Sequence, residues 1–183
     1  MILNDAQRKC IYALEKHRMI LITKDRQQGI TTMLLSHALN LSVEKINHMA
    51  MFVCVNEALK RHCQSVVRSM MLNCPGILCK SGKSSCMQFS NGSAIRFTTS
   101  REILKCGRSL NHDLIIIDEG AYMDELQDVT TCVIPTLMHG NGQFIIASTP
   151  SHEDHYFTKL CKDASSGEKK NDSMFNLVNT MCS

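Results

Sequence analysis

Short apolar runs alternate along the chain with longer stretches of helical periodicity. Residues 19–23 (M-I-L-I-T), 50–55, 114–117 and 144–147 are runs of strand length, the pattern of strands buried on both faces. Residues 4–16 place Ala6, Cys10, Ile11, Ala13 and Leu14 on one helical face. Residues 33–41 and 57–72 also predict helices, the second stopped by Asn73, Pro75 and Gly76. Two shorter strands, 85–89 and 93–98, flank Asn91 and Gly92, a strong hairpin signal. Further helices are predicted over 127–138, interrupted by Pro135, and over 155–162. Residues 163–173 (D-A-S-S-G-E-K-K-N-D-S) read as linker, and 174–181 is too short to form a domain of its own. The pattern predicts an α/β fold with a mostly parallel central sheet flanked by helices, plus a β-hairpin insertion around residues 85–98. It divides the chain into a domain over 1–162 and a tail over 163–183. In such sheets ligands sit beyond the carboxyl ends of the strands, so the residues following each apolar run matter most.

Composition narrows the class. A chain of 183 residues, 44% apolar with a mean hydropathy of -0.10, is long enough to bury one core. No apolar run approaches the roughly 20 residues of a membrane span. The polar Asn4, Asp5 and Gln7 follow the first three residues at once, so no signal peptide and a cytoplasmic protein are expected. Ten cysteines are too few for a small disulfide scaffold. The group His62, Cys63, Cys74, Cys79 and Cys86 matches no paired zinc-ligand spacing, so reduced structural thiols are expected.

Net charge is only +3, but nine Lys/Arg lie between Lys60 and Arg108 against the single acid Glu102. Six acids and no base lie between Asp113 and Asp128. The basic stretch is either a solvated face or a surface that meets phosphates.

Three strand ends carry candidate chemistry. The first run leads into K-D-R-Q-Q-G-I-T-T, residues 24–32, and then a helix, the context of a phosphate loop, whose backbone N–H groups cradle anionic oxygens. The usual pattern ends Gly-Lys-Ser/Thr; here the hydroxyl is Thr31 and Ile30 stands at the lysine position. The run at 114–117 ends in Asp118 and Glu119, the arrangement in which one acid serves a Mg²⁺ shell and the next polarises the attacking water. Both acids are expected at the strand's end, because unpaired carboxylates inside an apolar strand are costly to bury. The run at 144–147 ends in Ser148, Thr149 and Pro150, a weaker signal.

Taken together, Gln7, the 24–32 loop, R-S-L-N-H-D-L-I-I-I-D-E-G-A-Y-M at 108–123 and A-S-T-P at 147–150 resemble the ATPase domain of tailed-bacteriophage large terminases. The resemblance covers roughly residues 3–162 and implies a P-loop NTPase fold of the ASCE type. It also implies that ATP and Mg²⁺ are bound and that hydrolysis moves viral double-stranded DNA into a procapsid. By position, it makes Gln7 the reader of adenine. The phosphate loop would be Arg26, Gln27, Gln28, Gly29, Ile30, Thr31 and Thr32, with Thr31 on the metal. Asp118 would support the metal and Glu119 would be the catalytic carboxylate. Ser148 and Thr149 would couple hydrolysis to movement. Implied partners are DNA, the capsid portal, the small terminase subunit and further copies in a ring, within the host cytoplasm and away from any membrane.

Departures from the family pattern shape the expectations. Some terminases carry the lysine at the start of the loop, which gives Lys24 that role here, with Arg26 as a second cation. Ser109 replaces a glycine, and Arg108 resembles a family arginine or pairs with Asp113. A second, nuclease domain is not expected within these residues. Two other functions stay open: a helicase-like P-loop ATPase, and a catalytically weak or inactive terminase-like module that binds DNA or regulates.

Overall fold

The computed structural model describes residues 3–72, 79–83, 85–106, 111–137, 141–151, 155–166 and 175–181. Six helices and eight strands follow one another among them. They are α1 (Asp5–Lys16), β1 (Met19–Thr23), α2 (Ile30–Glu44), β2 (Met49–Cys54), α3 (Glu57–Leu72), β3 (Cys79–Lys83) and β4 (Cys86–Phe89). Then come β5 (Ala94–Thr99), α4 (Ser100–Cys106), β6 (Leu114–Asp118), α5 (Leu126–Val133), β7 (Gln143–Ser148), α6 (Tyr156–Ser165) and β8 (Asn176–Asn179).

The strands form one sheet in the order β3-β4-β5-β2-β6-β7-β1-β8. Every pairing from β5 to β8 is parallel, whereas β4 runs antiparallel to β3 and β5. Alternate residues of each strand face opposite sides, and both sides are covered. Ile20, Ile22, Phe52, Ile116 and Ile145 pack with Leu34 of α2 and Val67 of α3 in one cluster. Leu21, Val53, Ile115, Ile117 and Ile146 pack with Val129 of α5 and Phe157 of α6 in the other. This two-sided burial is why the central strands read as continuous apolar runs rather than alternating ones.

Three features depart from the expected plan. The hairpin turns at Asn91–Gly92 as expected, with Gly92 at φ 86°. However, its second strand, β5, lies in register beside β2 from Met49↔Ala94 to Cys54↔Thr99. The hairpin is therefore built into the sheet rather than appended to it. Second, α5 stops at Val133, and Pro135 sits in a short 3-10 turn over Ile134–Thr136. Third, the stretch expected to be tail after residue 162 carries the end of α6 and the edge strand β8, which pairs with β1 from Ile20↔Asn176 to Thr23↔Asn179. A strand this short completes an existing sheet at little cost, because β1 already presents a free ladder edge. Among the described residues no helix is long and apolar enough to cross a membrane.

Candidate active site

Parallel register brings the polar strand ends to one edge of the sheet. Thr23 pairs with Ser148, and Asp118 pairs with Ala147, so β1, β7 and β6 finish side by side. Lys24 extends the ladder by one residue, its N–H donating to the Ser148 carbonyl at 3.0 Å. The chain then turns sharply into α2. Gln27 and Gly29 both adopt left-handed backbone, at φ 64° and 71°. The positive φ favours glycine at 29, and a Cβ there would also meet the end of the Gln7 side chain, its amide nitrogen, at 2.8 Å.

At the centre of this edge lies a buried cation. The Lys24 ammonium, only 5% exposed as a residue, donates to Thr31 Oγ1 at 3.1 Å and to Asp118 Oδ1 at 2.9 Å. It also lies 3.0 Å from Glu119 Oε1. Thr31 in turn donates to Asp118 Oδ2 at 2.8 Å. The 24–32 loop and the acidic pair thus share one cluster. Burial alone would lower the lysine's pKa, but the charges of Asp118 and Glu119 outweigh it and hold the group above its ordinary value. For Asp118, burial, helped by the neighbouring Glu119 charge, keeps the carboxyl above its ordinary value against the downward pull of Lys24 and the Thr31 hydroxyl. Each charge in this pair is kept in place by the other.

An open cleft of about 660 Å³ lies over the cluster, within the range of small-ligand sites. Its walls include every residue from Lys24 to Thr31, together with Glu119 and Thr149.

No family model and no curated protein sequence matches the chain. Solved structures do match it. The ATPase domain of the Thermus phage P74-26 large terminase superimposes with a TM-score of 0.73 at 13% identity, covering 93% of this chain and 78% of that one. The HK97 bacteriophage large terminase gives 0.76 at 15% identity, covering 97% of this chain but 39% of that one. A large terminase from a thermophilic bacteriophage, solved in complex with ATP-gamma-S, gives 0.71 at 13% identity, with 97% and 44% covered. The fold is that of phage large-terminase ATPase domains. This chain spans most of the isolated terminase domain but less than half of those two longer terminases.

Within this terminase-type fold the remaining expected residues divide. Gln7 sits at the loop but is occupied at both ends of its amide. Its Oε1 accepts from the Asn4 N–H at 3.2 Å in a capping box, and its Nε2 donates to the Gln28 carbonyl at 3.3 Å. Arg26 and Gln27 are exposed on the cleft wall, while Thr32 is exposed on α2 and does not line the cleft. Ile30 is 1% exposed and joins the core beneath α2. Ser148 is fully buried. Its hydroxyl accepts from the Ala121 N–H at 3.0 Å and donates to the Thr149 carbonyl at 2.9 Å, with Glu119 Oε2 at 3.5 Å. Arg108 and Ser109 lie outside the described residues, and Asp113 accepts from the Met49 N–H at 2.8 Å.

Sequence reasoning gave no role to five cleft residues: Asp25, Val55, Asn56, Leu59 and Tyr122. Asn56 was findable, because it precedes a helical run and caps α3 by accepting from the Leu59 N–H at 2.9 Å. It also missed the backbone of Glu119, which is left-handed at φ 57°. Such a conformation costs a non-glycine residue about 1 kcal/mol and gathers at functional sites.

The basic stretch is not uniform. Lys60 is buried against Glu57 and Glu102 at 2.6 and 3.0 Å. Arg61 and Arg68 on α3 and Arg101 and Lys105 on α4 are exposed. Of the thiol group considered for zinc, Cys63 is buried in the core and His62 is exposed, while Cys74 lies outside the described residues.

Proposed function

We propose that the chain is the ATPase domain of a bacteriophage large terminase, hydrolysing ATP to drive viral double-stranded DNA into a procapsid. The observation that carries this reading is the convergence of Lys24, Thr31, Asp118 and Glu119 within 3.1 Å contacts under one cleft. Relatives of this fold solved with ADP and with ATP-gamma-S support nucleotide as the ligand, and the Phi-28 gp11 DNA packaging motor shares it at a TM-score of 0.58.

The donor set fits Mg²⁺. Thr31 Oγ1 and the Asp118 carboxylate are hard oxygens 2.8 Å apart, and the same oxygens already hold a cation, the Lys24 ammonium. Thr31 and Asp118 would hold the metal, which would neutralise charge on the β- and γ-phosphates. The chain's own residues would do the rest. Backbone N–H groups at the start of α2 bind phosphate oxygens. Lys24, released from the carboxylates, stabilises charge developing on the transferred phosphoryl. Glu119 orients a water and takes its proton as the water oxygen bonds to the γ-phosphorus and the bond to the bridging oxygen breaks. Gln7 would exchange its contact with Gln28 for adenine, and Arg26 would face the phosphates from the cleft wall. Ser148 and Thr149 join the β7 end to the Glu119 turn, which suits a coupling role. The exposed Arg61, Arg68, Arg101 and Lys105 suit salt-sensitive contact with DNA phosphates. Assembly as a ring with the portal and small subunit, in the host cytoplasm, completes the proposal.

A second reading is favoured by Ile30, which turns into the core where a lysine usually serves: a module that binds nucleotide or DNA without turnover. Phosphate release measured with and without double-stranded DNA separates the two. The motor reading expects Mg²⁺-dependent hydrolysis stimulated by DNA; nucleotide binding with no release in either condition overturns it in favour of the second.

A further inference from the structure

We propose that Thr180, just beyond the edge strand β8, is a positioning residue for the phosphate loop, acting through Gln28; this rests on the nucleotide reading above. Gln28 lies between the two left-handed residues Gln27 and Gly29. A loop bent in this way persists only where its surroundings over-determine it. On the backbone side, the Gln28 carbonyl accepts from Asn4 Nδ2 at 3.1 Å and Gln7 Nε2 at 3.3 Å. On the side-chain side, the partner comes from 152 residues away. Gln28 Nε2 donates to the Thr180 carbonyl at 2.8 Å, and its Oε1 faces Thr180 Oγ1 at 2.8 Å. The same amide accepts from the Asp25 N–H at 3.2 Å and donates to Asp25 Oδ2 at 3.3 Å, closing the loop on itself.

Thr180 is itself fixed. It is 4% exposed, and both its N–H and its hydroxyl lie 2.9 Å from the Thr23 carbonyl. A hydroxyl has one proton, so here it is shared between the last carbonyl of β1 and the amide of the loop. Neighbouring Asn179 accepts from the Thr23 hydroxyl at 3.1 Å. Val178 and Leu177 of β8 pack on the two apolar clusters, and this polar anchorage adds to that packing. Thr180 is not among the residues that line the cleft. It fixes Gln28, and Gln28 fixes the shape of the loop that would bind phosphate.

The test compares the Thr180→Val and Thr180→Ser variants of the whole chain. A fluorescent ATP analogue measures affinity, steady-state hydrolysis separates KM from kcat, and hydrogen exchange follows the amides of Asp25 and residues 28–31. Thr180→Val is expected to weaken affinity and raise KM about tenfold, the scale of one or two hydrogen bonds, with kcat changed less than about twofold. Loop amides should exchange about tenfold faster while β6 amides keep wild-type rates; Thr180→Ser should restore both. Wild-type affinity and wild-type loop exchange in Thr180→Val overturn the assignment. Should that variant fail to fold, Thr180→Ala stands in, with the same expected acceleration of loop exchange and the same overturning result. If the wild-type chain binds no nucleotide, the ATPase reading fails, and loop exchange alone still decides the positioning role.

Discussion

Replacing Lys24 with methionine keeps the length of the side chain and removes the one cation inside the cluster. Three oxygens lose a partner: Thr31 Oγ1, Asp118 Oδ1 and Glu119 Oε1, each now within 3.1 Å of the ammonium. Deleting one member of a buried ion pair costs about 3–5 kcal/mol, because the other charge stays buried and uncompensated. The lower end applies here, since Asp118 keeps the Thr31 hydroxyl and the Glu119 side chain is 30% exposed and can turn to water. A loss of about 3 kcal/mol in a domain of this size lowers Tm by roughly 6–12 °C. Thermal melts followed by circular dichroism, in a metal chelator, read this directly. Adding millimolar Mg²⁺ should then return part of the lost stability to Lys24→Met, because the cation hole it leaves is lined by hard oxygens. Wild type should respond far less, its own ammonium holding the place. A Lys24→Met variant that melts within about 2 °C of wild type in chelator would refute the reasoning, since the ammonium would then be solvated rather than buried between carboxylates.

Glu119→Gln should reduce phosphate release by at least about a hundredfold while leaving ATP-analogue affinity near wild type; turnover at the wild-type rate removes Glu119 from the chemistry. Ser148→Ala strips the buried Ala121 N–H of its acceptor and should cost about 1–3 kcal/mol in urea unfolding, whereas an unchanged midpoint would mean that the N–H finds another partner. Gly29→Ala combines left-handed strain with a close approach to the Gln7 amide and should lower stability by about 1–2 kcal/mol and abolish nucleotide binding; a variant that binds normally shows the loop has another accessible shape. Glu102 is opposed by burial but held below its ordinary value of 4.5 by Lys60 and the Thr99 N–H. Its folded pKa is the lower one, so its stabilisation is present above about pH 4.5 and fades as pH falls through the folded value. Glu102→Gln should therefore flatten the stability profile below pH 4.5, and two parallel profiles would dissociate Glu102 from acid sensitivity.

What the sequence made legible follows from how strongly each element is specified. The central strands were readable because burial on both faces forces unbroken apolar runs, and Leu114 to Ile117 are all fully buried. The acidic pair was readable because carboxylates must come after such a run, not within it. By contrast, β8 (N-L-V-N) is four residues long and half-buried, so no periodicity distinguishes it from loop; only its pairing to β1 makes it a strand. The seven-residue α4 was missed although its start is marked locally. Thr99 and Glu102 form a capping box, the Glu102 carboxylate accepting from the Thr99 N–H and the Thr99 hydroxyl accepting from the Glu102 N–H, and only the Lys60 contact is long-range. In the site, Lys24 and Thr31 were found as residues, but their contact with Asp118 spans 94 and 87 positions and depends on strand order. That order is not encoded locally. Gln28 was assigned to the loop, yet its tie to Thr180 required knowing that a polar tail returns to the sheet.

The position of the lysine has a consequence that the usual loop does not share. A cation at the first turn of α2 would belong to the helix and could turn without disturbing the sheet. Here that place is taken by Ile30, packed into the core. The cation comes instead from a residue whose N–H is bonded to the Ser148 carbonyl and whose side chain crosses the end of β7 to reach Asp118 on β6. Lys24 thus ties β1, β6 and β7 together at the edge where the loop begins. On the proposed reading, a triphosphate would recruit its ammonium only by drawing it from Asp118 and Glu119, which would free Glu119 for water and leave the oxygens of Asp118 and Thr31 to a divalent cation. Phosphate and metal should therefore bind more tightly together than the product of their separate affinities, because each removes a cost the other would otherwise face. Isothermal titration of wild type with nucleotide, with Mg²⁺, and with both should show that synergy, and Lys24→Met, having no ammonium to relocate, should lose most of it. Equal synergy in the two proteins would mean that the lysine is a spectator to metal binding.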